Sequence, residues 1–471
     1  MSAVIFVNGL TIVLFGGLMV LCNLLYHDTG GAFLEAGLCA LAMGGALLIV
    51  SAGRLSRLKR LHTFLLTASV WMTAGTVSAL PLWLWRMSPA DAFFEAMSGL
   101  TTTGATVLSG LDTLPRSVLL WRAMIQSLGG IGFIVTGIAL LPFLKVGGMQ
   151  LFRTESSDKG ENELGSAARF ASASVGVYVA LILLCTLLYG LGGMSDFDAL
   201  THALTTMASG GYANYDASFG HFDSAYLQWV CTLFMLCAGL PFAWYIKVLR
   251  GKRQASEQVR MMLLTLGAVI LGLTLWRVET AHTPIFETLR IVAFSVVSVV
   301  TTTGFAVEDY TAWGPFAVTA FLVLTLVGGC TGSTAGGVKA MRWIVSWRAV
   351  RVRLATMVRP HAIHPLRYEG RRIAPEVLDG VIGFFTLFAL TFGVISVVLT
   401  LLGVDTLTAM SGTLTALCNV GPGVGAIIGP AGSFAPLDGV SKVILALAMY
   451  LGRLEMLTVF VVCLPRFWQE V

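Results

Sequence analysis

Nine stretches of this 471-residue chain run apolar for about the length that crosses a bilayer, near residues 4–26, 34–52, 64–85, 118–144, 171–191, 225–248, 260–276, 378–403 and 441–464. A tenth, at about 313–345, is broken part way. The chain is 56% hydrophobic and only 12% charged, with a mean hydropathy of +0.82, outside the soluble range. An all-α polytopic membrane protein is the fold class this predicts. The first run lacks a basic start and continues to spanning length, so no cleavable signal peptide is expected.

Orientation follows from the short loops. Arg54, Arg57, Lys59 and Arg60 follow the second run; Lys145, Arg153 and Lys159 the fourth; Lys247, Arg250, Lys252 and Arg253 the sixth. Every second loop is basic, which puts those loops and both termini in the cytoplasm. The densest patch is Arg342, Arg348, Arg351, Arg353, Arg359, Arg367, Arg371 and Arg372. Positive-inside anchoring accounts for most of it, and protein docking is the alternative. The net charge of +5 therefore concerns orientation and gives no ground for a nucleic-acid partner. The eight cysteines lie in or beside apolar runs without C-x-x-C spacing, which favours buried small residues over disulfides or metal ligands.

A repeat emerges after the second run. Each unit is a span, a semi-polar stretch too short to cross, a small-residue segment and another span. The segments are Thr101-Thr102-Thr103-Gly104, Ser209-Gly210-Gly211-Tyr212, Thr301-Thr302-Thr303-Gly304-Phe305 and Asn419-Val420-Gly421-Pro422-Gly423. Asp91 lies thirteen residues before Gly104 and Asp198 thirteen before Gly211, while Glu287 and Asp405 open the third and fourth short stretches without that spacing. A carboxylate suits a helix start, so each short helix would aim its negative end at the segment and favour a cation there.

Irregular backbone is tolerated at membrane depth only where protein buries it or it lines a wet cavity. Stripping water from a cation needs rings of carbonyl oxygens. Glycine at the centre of each segment permits unusual dihedrals and removes a Cβ that would crowd its neighbours. A lone Thr-Thr-Thr-Gly reads as a polar kink in a helix; four in register read as one pore. The units divide the chain into 1–60, a two-helix N-terminal part, then 61–155, 156–254, 255–355 and 356–471, the last with a cytoplasmic linker.

Two further features carry charge or irregularity to membrane depth. Pro315 to Val327 gives only 13 continuously apolar residues, about 20 Å of helix, and five of the next twelve are glycine. A flexible polar segment there should line the pathway on the cytoplasmic side; a glycine-rich packing kink is the alternative. Gly332-x-x-x-x-Gly337 is followed by Val338 where a phosphate-binding loop needs Lys, so no ATPase is supported. Arg453 sits in an apolar span at a cost of about 2.5–3.5 kcal/mol, and such residues are usually functional. Glu455 lies about 200° around the helix, which prevents pairing on one face and turns Arg453 to the pore. An inter-helix salt bridge or snorkelling to the cytoplasm are the other readings.

At Leu114-Pro115, Trp121-Arg122, Leu128-Gly129-Gly130-Ile131-Gly132, Val146-Gly147-Gly148-Met149-Gln150-Leu151, Gly328 through Lys339, and Gly452-Arg453-Leu454-Glu455, the chain resembles the membrane subunit of bacterial Trk-type potassium uptake systems. This is the TrkH/TrkG family of the Trk/Ktr/HKT superfamily. The resemblance runs through nearly the whole chain. It implies four membrane-pore-membrane units around one central pore, preceded by a two-helix unit, in a bacterial inner membrane. It also implies a homodimer docked on a cytosolic TrkA-like nucleotide-binding ring, with potassium as transported substrate and no covalent cofactor.

On that resemblance, potassium filter oxygens fall to Thr102, Thr103, Gly104, Ser209, Gly210, Gly211, Thr302, Thr303, Gly304, Asn419, Val420 and Gly421. The gate falls to an intramembrane loop containing Gly328, Gly329, Thr331, Gly332, Ser333, Thr334, Gly336, Gly337 and Lys339, with Arg453 as an electrostatic barrier below the filter. In the plant HKT branch a Ser in place of the first filter glycine goes with sodium preference, so Gly104, Gly211, Gly304 and Gly421 favour potassium. Cys418 stands where relatives often carry Asn, and Tyr212-Ala213-Asn214 replaces Phe-Ser-Thr, departures that bear on fine selectivity.

Glu95 and His202 read either as proton relays or as stabilisers of the short helices and outer vestibule. His361 and His364 are expected to be exposed rather than metal-bound, and Asp112 to draw cations to the mouth. Channel-like flow and proton symport both fit these motifs. A sodium-permeable or proton- or sodium-coupled cation transporter of the same superfamily is the alternative. A broken-helix carrier for a larger solute is disfavoured because all units run in one membrane order. An enzyme or sensor would need a convergent reactive cluster, which the chain lacks.

Overall fold

The computed structural model describes residues 1–53, 60–140, 163–251, 256–362 and 364–470, with 60, 136–140 and 163–167 described by backbone alone. Arg54, Arg57, Lys59, Lys145, Arg153, Lys159, Lys252, Arg253 and the motif from Val146 to Leu151 lie outside the described residues. The N-terminal part is a hairpin of α1 (Ser2–Leu25) and α2 (Ala32–Ala52). Glycines bring these helices together: a Cβ on Gly37 would meet the carbonyl of Gly16 at 2.9 Å, and one on Gly44 that of Gly9 at 2.9 Å. Without a hydrophobic drive between helices in lipid, such small-residue approach supplies the packing.

Four units follow. The first is α3 (Arg60–Trp85), the short α4 (Pro89–Leu100) and α5 (Arg116–Leu140). The second is α6 (Glu163–Leu191), the short α7 (Asp196–Met207), and α8 (Ala225–Ala238) with α9 (Phe242–Leu249). The third is α10 (Glu257–Ala281), the short α11 (Ile285–Val300), and α12 (Pro315–Thr325) with α13 (Ala340–Val358). The fourth is α14 (Pro375–Leu401), the short α15 (Thr406–Cys418), and α16 (Gly439–Arg453) with α17 (Leu457–Cys463), followed by α18 (Pro465–Glu470). The expected boundary at 355–356 falls within α13.

The chain is an all-α membrane protein, with seven helices among the described residues long and apolar enough to span, or nine if two bent pairs count. The bends correct two of the expected spans. The run 225–248 turns by 94° between α8 and α9, where Gly239 and Pro241 interrupt the ladder, and 441–464 turns by 112° between α16 and α17. The break expected in 313–345 is present, since α12 stops at Thr325. Arg367–Tyr368 pairs with Arg371–Arg372 in a small antiparallel hairpin, and Tyr368 packs with Met341, Ile344 and Val381 of α13 and α14.

Each unit's inner helix leans on the next unit's short helix: α5 on α7, α8 on α11, α12 on α15, and α16 on α4. The four units therefore close into a ring. Local chemistry starts three of the four short helices at or within three residues of the expected carboxylates, while Glu287 lies in the first turn of α11, whose N-cap Pro284 makes no side-chain bond. Ser88 Oγ accepts from Asp91 N at 3.2 Å with Pro89 at the first helical position, Ser195 Oγ accepts from Asp198 N at 3.1 Å, and Asp405 Oδ2 accepts from Thr408 N at 3.0 Å.

Candidate functional site

The short helices end at the four predicted filter segments, and these share one backbone path. Thr102, Ser209, Thr302 and Asn419 are left-handed, with φ of +54°, +55°, +57° and +53°. Two residues on, Gly104, Gly211, Gly304 and Gly421 are left-handed again at +83°, +72°, +83° and +105°. Between them, Thr103, Gly210, Thr303 and Val420 each donate N–H to the carbonyl five residues back, at 2.8, 3.0, 2.8 and 3.0 Å. Alternation of handed dihedrals turns successive carbonyls to one side, which a uniform strand cannot do.

The segments touch around a closed circle. A Cβ on Gly104 would fall on the carbonyl oxygen of Gly210, one on Gly211 on that of Thr303, and one on Gly304 on that of Val420. One on Gly421 would meet that of Thr103 at 2.7 Å, which completes the circuit. Glycine is thus fixed here by both φ and space. The segment residues from 101 to 103, 208 to 210, 301 to 303 and 418 to 421 are buried, and a cavity of about 70 Å³ opens over the four glycines.

The units hold this path differently. In the first and third, Thr101 Oγ1 donates to Met97 O and pairs with Thr103 Oγ1 at 2.8 Å, while Thr301 Oγ1 donates to Val297 O and pairs with Thr303 Oγ1 at 2.9 Å. Ser98 and Ser298 Oγ tie back to the carbonyls of Ala105 and Phe305, both at 2.6 Å. In the fourth, Asn419 Nδ2 donates to Thr103 Oγ1 at 3.0 Å and Met449 O at 2.9 Å. The Thr102 hydroxyl and Asn419 Oδ1 are buried with no hydrogen-bond partner among the described residues. Unspent acceptors at that depth are available to a cation.

The predicted gate loop lies directly against these segments. Gly336 N donates to Thr302 Oγ1 at 2.7 Å, Gly337 N to Cys418 O at 2.8 Å, and Thr334 Oγ1 bonds Ser209 Oγ at 2.7 Å. Cys330 N donates to Gly239 O at 3.0 Å and Phe242 N to Gly332 O at 2.9 Å, so the loop fills the bend between α8 and α9. Ser333 Oγ donates to Cys330 O at 2.7 Å and Thr331 N to Gln258 Oε1 at 3.0 Å. Gly328, Gly332, Gly337 and Lys339 take positive φ. Gly329 is buried under Ala335, and Lys339 Nζ sits 4.3 Å from the Phe133 ring centroid.

Arg453 is buried, as expected for a residue turned inward, but it ends α16 rather than standing mid-helix. Its Nη1 donates to Thr334 O at 3.0 Å, and its guanidinium lies 4.4 Å from the Phe133 centroid. Glu455 turns away, at φ +54°, to pair with Arg342 at 2.9 Å. Arg342 is therefore not part of the exposed basic patch, which keeps Arg351, Arg353, Arg359, Arg367, Arg371 and Arg372 at the surface.

Glu95 and His202 occupy stabilising positions. Buried Glu95 pairs with buried Arg122 at 2.8 Å and accepts from Val107 N at 2.9 Å. His202 Nδ1 bonds Asp198 O at 2.9 Å, while its Nε2 has no partner among the described residues. Tyr212, at a departing position, gives its hydroxyl to Glu95 O at 2.7 Å and its ring to Arg122. Asn214 Nδ2 donates to Asp198 Oδ1 at 2.8 Å. Asp112 and His361 are exposed, and His364 is half-buried. Cys418 is buried, whereas Cys39 and Cys463 are exposed.

Sequence reasoning passed over the Glu95–Arg122 pair and the Lys442–Asp91 pair, 2.7 Å apart between the fourth and first units. The signal was available, because Arg122 and Lys442 interrupt apolar spans as Arg453 does.

Known proteins share this architecture. The sequence model of the TrkH family, described as "Cation transport protein", matches residues 29–469. Trk system potassium uptake protein TrkI of Halomonas elongata is 47% identical over 88% of this chain and 85% of its own length. Trk system potassium uptake protein TrkH of Escherichia coli K12 is 36% identical over 98% of each. The crystal structure of the potassium transporter TrkH from Vibrio parahaemolyticus superposes with a TM-score of 0.91 at 31% identity, covering 99% of both chains. With family match, relatives and fold in agreement over nearly all of its length, the chain belongs to the TrkH family of cation transport proteins.

Proposed function

We propose that this protein takes up potassium through the ring formed by the segments at 102–104, 209–211, 302–304 and 419–421. The circle of carbonyls from Thr103, Gly210, Thr303 and Val420, each against the preceding unit's glycine, carries this reading. Such a ring can replace a dehydrated cation's water shell. The short helices add the negative ends of their dipoles. The potassium-uptake names of relatives at 36–47% identity support potassium as the substrate.

The loop from Gly328 to Lys339 and Arg453 form the gate in this reading. The loop's hydrogen bonds to Thr302 and Cys418, and that of Arg453 to the loop's Thr334, support reading them as a buried barrier with a positive charge under the ring. The exposed arginines of α13 and the hairpin offer the surface for a cytosolic nucleotide-binding ring, and the protein works as a homodimer in the bacterial inner membrane with both termini inside.

Rubidium-86 uptake into potassium-loaded proteoliposomes tests this. Competition by external K⁺ and Rb⁺, but not Na⁺ or Li⁺, is expected. Equal competition by Na⁺ would replace the potassium reading with a sodium-permeable one, and absence of flux with and without the cognate ring would sink both.

A further inference from the structure

We infer that Gln126 is a positioning residue of the ion pathway: it occupies the volume of the side chain that the second segment lacks and clamps the peptide groups on both sides of Gly211. This rests on the potassium-pathway reading above. The position before the ring glycine carries Thr103, Thr303 and Val420 in three units, and Gly210 in the second. The pair of hydroxyls that braces the first and third units is replaced there by Ala208 and Gly210, neither of which has a polar side chain.

Gly210 is not left-handed, so backbone conformation does not call for glycine. Space does. A Cβ on Gly210 would land on the side-chain amide of Gln126, with Oε1 at 2.6 Å and Nε2 at 2.7 Å. Gln126 is fully buried and comes from α5 of the first unit. Its Nε2 donates to Gly210 O at 2.8 Å, and its Oε1 accepts from Tyr212 N at 3.1 Å. One amide thus satisfies an acceptor and a donor flanking Gly211, with correct polarity at each end.

The consequence is asymmetry in the ring. The carbonyl of Gly210 shares its lone pairs with a neutral donor, so it presents a weaker field to a cation than one with no competing donor. Its place is set by a residue of the neighbouring unit rather than by its own segment. Size discrimination in the second quadrant then depends on Gln126.

The test is a double-mutant cycle on full-length protein, read by rubidium-86 uptake with K⁺ and Na⁺ competition and by thermal stability in detergent. Q126L keeps the bulk but removes the clamp; its K⁺ over Na⁺ preference is expected to fall by about tenfold, the scale of losing buried hydrogen bonds. G210T in the presence of Gln126 is expected to melt earlier than wild type. Q126A combined with G210T restores a threonine as in the first and third units, and should melt above G210T alone and discriminate better than Q126A alone.

Unchanged discrimination in Q126L, or G210T tolerated equally in the wild-type and Q126A backgrounds, overturns the inference. The melting arm decides the spatial exchange even for variants that do not transport. Lack of K⁺ preference in wild type strikes the potassium reading itself and is distinguishable from both.

Discussion

Arg453 Nη1 donates to the main-chain oxygen of Thr334 at 3.0 Å, so the C-terminal end of α16 in the fourth unit holds the middle of the third unit's loop. A charge-assisted hydrogen bond in a buried setting is worth about 1.5–3 kcal/mol. Without it, the loop is held by neutral bonds, among them those to Thr302, Cys418, Ser209, Gly239 and Gln258. R453Q is therefore expected to raise rubidium-86 uptake into proteoliposomes lacking any partner by about tenfold or more. Flux equal to or below wild type would count against a gate.

The ring glycines should be the least tolerant positions. Gly304 combines φ +83° with a Cβ position on the Val420 carbonyl. G304A must push the two segments apart, and the variant is expected to lose growth of a potassium-uptake-deficient bacterium at low millimolar potassium while still reaching the membrane. Growth at the wild-type potassium threshold would refute the ring.

The Glu95–Arg122 pair joins the first unit to the second, because Arg122 Nη1 also donates to Ala213 O at 2.9 Å. Removal of one partner leaves a buried charge, a loss of about 3–5 kcal/mol. R122L is expected to melt well below wild type in detergent. E95L/R122L should recover part of that loss, since neither charge is then stranded, yet transport should stay low because Ala213 and Tyr212 have lost their support.

The cap of α15 sets an acid limit outside the membrane. Bonding from Thr408, through its side chain and then its main-chain N–H, holds the Asp405 carboxyl below the usual carboxylate range. A folded-state value below the unfolded one contributes stability at pH above the unfolded value, and that contribution fades as pH falls through the folded value. D405A should thus melt earlier than wild type at pH 7, with the gap closing below about pH 4. A gap that persists at pH 3 would show that the carboxylate is not its source.

Much of the architecture is legible in residue order. Apolar runs place the spans, Asp91, Asp198, Glu287 and Asp405 mark the entries of the short helices, and the repeated small-residue segments mark where helix must stop. The α8–α9 bend has a visible cause in Gly239 and Pro241, although the run around it is apolar enough to read as one span. The α16–α17 bend has no Gly or Pro between Arg453 and Leu457. It follows from Glu455, which leaves the helical path to meet Arg342 of the third unit. The cross-braces on the ring were equally hidden, since nothing in the local sequence of Gln126 names Gly210 as its partner.

What the sequence alone determined was the solvent and the unit: hydropathy commits the chain to a bilayer, and each glycine-containing segment is confined to a short non-helical stretch. Those are properties of contiguous residues. Closure was decided only by tertiary structure, because the contacts that make a ring join residues far apart in the chain, as where Asn419 reaches Thr103 across 316 positions. Geometry on that scale depends on how four unequal units pack, and the ring exists only when the last unit meets the first.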